Sequence, residues 1–93
     1  LPVDEFLAQL QLGLAKVAFS HNQFQEAEKR FQEIVDQFPD SEAAPEALYW
    51  AGVSRYKETD DGAALTETGR QFQKRYQDTI WAKKASVWAE TPV

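Results

Sequence analysis

Cysteine is missing from these 93 residues. Its absence removes disulfide scaffolds, thiolate zinc sites and thiol catalysis, and leaves the redox compartment open. Histidine occurs once, at His21 in a turn beside Asn22, with no nucleophile or carboxylate placed to partner it. A turn or capping role is therefore expected for it. The four glycines are scattered at positions 13, 52, 62 and 69, so no glycine-rich loop is available to cradle phosphate. Asp60 and Asp61 are adjacent, which is not the spaced oxygen set of a calcium loop. No metal, no cofactor and no catalysis are expected.

Positive charge is also in short supply. Ten Lys and Arg stand against fifteen Asp and Glu, a net charge of −5. Nucleic-acid and anionic-membrane binders need dense Lys and Arg to displace counterions, so neither class of partner is expected. No apolar run approaches the roughly 20 residues of a membrane span, and nothing resembles a signal peptide. The chain opens on Leu1-Pro2 without methionine. It reads as a piece of a longer protein, with a cytoplasmic location expected and the periplasm left open.

What is present suits a small helical domain. Hydrophobic residues make up 43% and aromatics 13% of the chain, enough to build a core. A chain this short buries only about 60–65% of its unfolded surface, so modest stability is expected. Charge is uneven: residues 1–46 hold nine acids and three bases, residues 47–93 six acids and seven bases. A chain polarised in this way could stack on copies of itself, or simply present two differently solvated faces.

Apolar spacing predicts five helices, over 4–20, 23–38, 41–58, 63–76 and 79–90. In the first, Leu7, Leu10, Leu14, Val17 and Ala18 recur at helical spacing, with Asp4 as N-cap, while Phe6, Leu12 and Phe19 lie off that stripe. Asn22 suits a left-handed turn. In the second, Phe24, Ala27, Phe31, Ile34, Val35 and Phe38 form one face that ends at Pro39. Asp40-Ser41 opens the third helix, residues 58–62 form a loop, and Asp78-Thr79 opens the fifth. Nothing alternates with period two. The expected core includes Leu10, Leu14, Ala27, Phe31, Ile34, Ala47, Leu48, Ala51, Phe72 and Trp88.

A shift of 38 residues lays Phe38-Pro39-Asp40-Ser41 over Tyr76-Gln77-Asp78-Thr79, and Ala44, Ala47 and Trp50 over Ala82, Ala85 and Trp88. In both segments an aromatic closes one helix, an Asp followed by a hydroxyl residue opens the next, and small residues let helices approach. Repeats of this kind mark a stacked solenoid.

Leu14-Ala15, Phe19, Asn22, Phe24, Ala27, Phe31 and Pro39 fall at the small, aromatic and proline positions of the tetratricopeptide repeat, at the spacing of its roughly 34-residue unit. Ala51-Gly52 and Tyr56 repeat the first-helix pattern. The chain resembles that family over nearly its whole length. It departs where Ala15 and Asn22 replace glycines, where the loop at residues 60–62 is longer, where Leu65 and Gly69 replace an alanine and a phenylalanine, and where Gln77 replaces proline. The segment from Phe38 to Gly52 is most similar to bacterial domains of this type. The tail Trp81–Trp88 resembles bacterial proteins in which a thioredoxin-like domain precedes such a segment.

The resemblance implies an all-α, right-handed helical solenoid: repeat one at 4–38, repeat two at 41–76, and a capping helix at 79–90. It also implies a non-catalytic protein-interaction module that binds a partner segment in a concave groove lined by the first helix of each pair. Carried onto this sequence, the groove comprises Gln9, Leu12, Lys16, Phe19 and Ser20, then Glu46, Tyr49, Val53, Tyr56 and Lys57, then Lys84 and Val87. Lys57 and Lys84 are placed to meet a carboxylate. Trp50 and Trp88 are expected to pack between helices, and Trp81 either covers the end of the stack or meets a partner. The alternative is a structural or self-assembly domain, a homodimeriser or spacer of a larger protein, since two repeats and a cap are fewer than the three usually needed for a self-sufficient stack.

Overall fold

Each helix boundary follows from a local choice of residues. The computed structural model describes residues 3–89, and among them lie five helices and no strand. These are α1 (Val3–Ser20), α2 (Phe24–Gln37), α3 (Ala43–Thr59), α4 (Ala63–Lys74) and α5 (Ile80–Ala89). The fold is all-α, and every span agrees with its expectation to within a few residues. Glu90, the expected end of the last helix, lies outside the described residues. Asp4 is not the cap of α1. It sits in the first turn beside Glu5, where a negative charge still favours the helix dipole.

Between α1 and α2, Asn22 takes a left-handed φ of 62°, which its short polar side chain tolerates. The N–H of Gln23 then donates to the Ala18 carbonyl at 2.9 Å. At the α3–α4 turn the left-handed residue is Asp60 (φ 56°), while Gly62 stays helical. Asp61 accepts the N–H of Ala63 at 2.9 Å and so satisfies the start of α4.

The 38-residue repeat is physical. Ser41 donates its hydroxyl to the Phe38 carbonyl at 2.8 Å and accepts the N–H of Ala44 at 3.1 Å. Thr79 donates to the Tyr76 carbonyl at 2.7 Å and accepts the N–H of Ala82 at 3.1 Å. The same pair of bonds therefore opens α3 and α5. The Tyr76 hydroxyl joins the two turns by donating to the Pro39 carbonyl at 2.6 Å.

α3 is the central helix and touches each of the other four, α2 most extensively. Its buried residues are Ala43, Ala44, Pro45, Ala47, Leu48, Ala51, Gly52 and Ser54. They are small and distributed around the helix, as a helix packed on several sides requires. Gly52 makes the α3–α4 crossing possible, because a Cβ there would stand 2.1 Å from Thr68 Oγ1. Phe31, Ile34 and Val35 of α2, Phe72 of α4 and Ala85 of α5 complete the core with the small face of α1. Trp88 packs against it, half-buried.

That small face corrects one expectation. α1 buries Ala8, Leu12, Ala15 and Ala18, not the leucine stripe. Leu10 is 53% exposed and Leu14 49%. α1 has apolar residues on two sides, and the core takes the alanine side because close packing against α2 and α3 leaves room for methyl groups.

Candidate functional site: an aromatic array across α1, α3 and α5

The first helices of the pairs lie side by side, α1 against α3 and α3 against α5. Half-buried aromatic side chains join them. From α1, Phe19 meets Phe24 at 5.2 Å between ring centroids and Trp50 of α3 at 5.3 Å, both edge to face. Trp50 meets its neighbour Tyr49 at 5.4 Å. Tyr49 then reaches α5, tilted against Trp81 at 5.2 Å and stacked on Trp88 at 4.9 Å. The Lys84 ammonium lies 4.6 Å from the centre of the Trp81 ring. All three tryptophans of the chain belong to this array.

Polar groups fix its orientation. Glu46 accepts the indole N–H of Trp50 at 3.2 Å, one helical turn away on α3. The same carboxylate oxygen pairs with the Lys16 ammonium at 2.5 Å, tying α1 to α3. Glu46 and Lys16 thus hold the array in place, and their charges offset each other. Lys84 is the exposed cation on the array itself.

The structure brings together Lys16, Phe19, Glu46, Tyr49 and Lys84 from the expected groove. Val53 and Tyr56 continue the Tyr49 face of α3 at helical spacing, both half-buried. One expectation needs correction. Leu12 is buried at 4% exposure, in the core beneath α1, and offers a partner nothing. Lys57 lines an open depression with Asn22, Gln23, Phe24, Glu26, Arg30 and Glu58, and Phe24 in turn meets Phe19 of the array. Of the remaining positions, Gln9 donates to Glu5 at 3.0 Å, Ser20 donates to the Val17 carbonyl at 2.8 Å, and Val87 is exposed.

Trp50, Trp81 and Trp88 belong to the site as much as to the packing. The signal was present in the sequence: Glu46 and Trp50 are four apart, and the 38-residue shift places Trp88 beneath Trp50. On the far side of α3, the Glu28 carboxyl is pushed above its ordinary value, first by burial, then by the charge of Glu58 and the hydrogen bond between them, with Arg55 opposing. His21 is exposed in its turn, and its backbone N–H donates to the Val17 and Ala18 carbonyls. Among the described residues no three His, Cys, Asp or Glu cluster as a metal would need, and no helix is long and apolar enough to cross a membrane.

Residues 7–41, which cover α1 from Leu7 onward, α2 and the turn into α3, match the family model of the tetratricopeptide repeat. Residues 7–41 are a tetratricopeptide repeat. No curated protein and no solved structure gives a match. The tetratricopeptide match ends at Ser41, before the positions where Leu65, Gly69 and Gln77 depart from the repeat pattern. Tetratricopeptide repeats generally mediate protein–protein interactions, so protein partners are indicated.

Proposed function

We propose that this domain is a non-catalytic interaction module that holds a segment of a partner protein along the α1–α3–α5 side. The observation behind this reading is the aromatic array from Phe19 to Trp81, half-buried, joined by edge-to-face and tilted contacts and edged by the exposed Lys84. Rigid aromatic faces give an extended peptide large apolar contact at low entropic cost. The fitting ligand is a peptide with apolar side chains and an acidic group, the carboxylate placed to meet Lys84. Glu46 and Lys16 organise the floor, and Val53 and Tyr56 extend it.

Selection of displayed random peptides against the chain tests this. The expected result is a recurring apolar and acidic pattern that binds the wild type and is lost from a folded Lys84→Glu variant. Selection without any recurring pattern, or binding indifferent to Lys84→Glu, would count against the array as the site. A second reading, self-assembly, is favoured by a different surface, the outer face of α1.

A further inference from the structure

Six of the eight exposed large apolar side chains among the described residues lie on α1: Val3, Phe6, Leu7, Leu10, Leu14 and Val17. Leu10 and Phe19 are nine residues apart, about half a turn around the helix, so this stripe faces away from the aromatic array. Repeat equivalence shows what such a stripe is for. Aligning Leu14-Ala15 with Ala51-Gly52 and Phe19 with Tyr56, a shift of 37, lays Phe6, Leu7, Leu10, Leu14 and Val17 over Ala43, Ala44, Ala47, Ala51 and Ser54. Those α3 residues are all buried. The α1 stripe is the surface that a neighbouring helix covers one repeat further on.

The side chains differ in size. Where α3 offers methyl groups to a closely packed neighbour, α1 offers phenylalanine and leucine, which hold a neighbour further off and interlock with it. Positions 3, 10 and 17 fall at a of a heptad, 6 and 13 at d, and 7 and 14 at e, the seam of a coiled coil. The set 3, 6, 7, 10, 13, 14 and 17 is also symmetric about position 10. Read in either direction it is the same pattern, as an antiparallel two-fold contact requires. Gly13 fills the one small position, and a Cβ on it would meet nothing within 4 Å, so the space above it is open.

We propose that the outer face of α1 is a homodimer interface in which two copies of α1 pack antiparallel about Leu10. Leu10 meets its own copy on the axis. Val3 faces Val17 of the second copy, Phe6 faces Leu14, and Leu7 seats over Gly13. Each large residue thus meets a position that accommodates it. The occupant is a second copy because α1 itself supplies the matching stripe. The interface leaves Trp81 and Lys84 open, so its failure and that of the peptide site are separate outcomes.

Sedimentation equilibrium of the chain, from about 1 μM to about 1 mM, reads the association directly. The expected mass rises from 10.6 kDa to twice that value, while Leu10→Arg, which sets two like charges on the axis, stays at 10.6 kDa with unchanged helical circular dichroism. A wild type that keeps the monomer mass throughout, or a Leu10→Arg chain that associates as well as the wild type, overturns the proposal. Because the chain has no cysteine, single substitutions report the register. Leu10→Cys is expected to oxidise to a covalent dimer. Leu14→Cys is not, since two such residues stand about 12 Å apart along the axis, beyond the roughly 7 Å reach of a disulfide. Equal cross-linking of both variants overturns the antiparallel arrangement.

Discussion

Gly52 and Thr68 set the distance between α3 and α4. A Cβ on Gly52 would lie 2.1 Å from Thr68 Oγ1 and 2.7 Å from Thr68 Cβ, well inside contact distance. Thr68 cannot swing aside easily, because it is buried and its hydroxyl donates to the Ala64 carbonyl at 2.8 Å. Glycine inside a helix normally costs about 1 kcal/mol relative to alanine, so propensity alone would make Gly52→Ala stabilising. Here the steric effect reverses the sign. The expected destabilisation is about 1–3 kcal/mol by urea melt. In the Thr68→Gly background, where all three clashing atoms are gone, the same substitution should cost little or nothing. A Gly52→Ala chain as stable as the wild type would contradict this crossing.

Phe31 and Leu10 separate the core from the outer stripe. Phe31 is wholly buried, and its replacement by alanine is expected to cost about 3–5 kcal/mol, enough to unfold so small a domain. Leu10→Ala, at a concentration where the chain is monomeric, should stay within about 0.5 kcal/mol of the wild type. Equal losses from the two would place Leu10 back in the core.

These two residues also mark where the sequence is legible and where it is not. Helix ends could be read because single residues set them: Asn22 at its left-handed turn, and Ser41 and Thr79 in their matched caps. The facing of α2 could be read because Phe31, Ile34 and Val35 share one side and polar residues fill the other. α1 has two apolar sides, large Leu10 and Leu14 on one and small Ala8 and Ala15 on the other. Size favours the leucines, but the closeness of α2 and α3, a tertiary fact, selects the alanines. Leu12 moved from the groove to the core for the same reason. Phe19 and Tyr49 follow from the family resemblance and Lys84 from the 38-residue match, and all three side chains lie in the aromatic array.

Glu28 gives the stability a defined pH dependence. Burial, the charge of Glu58 and the hydrogen bond between the two carboxyls raise its pKa, against the pull of Arg55. A carboxyl whose pKa rises on folding binds its proton more tightly in the folded state. Its contribution is fully present below the ordinary glutamate value of 4.5 and is lost as pH rises through the folded pKa. Glu28→Gln is therefore expected to melt higher than the wild type at pH 7. The difference should shrink as pH falls towards the ordinary value. A variant that melts lower at pH 7, or a difference independent of pH, would contradict the assignment.

The central claim is that a partner segment lies on the aromatic array, and Trp50, Trp81 and Trp88 make it directly observable. Tryptophan emission, followed while the chain is titrated with a peptide from the selection, is the most direct measurement. A saturable change in intensity and wavelength is expected for the wild type and equally for the Leu10→Arg variant, with its loss in Lys84→Glu. Binding that leaves the emission of all three tryptophans unchanged would contradict it, because no segment can cover the Phe19–Trp50–Tyr49–Trp81 surface without altering the surroundings of those rings.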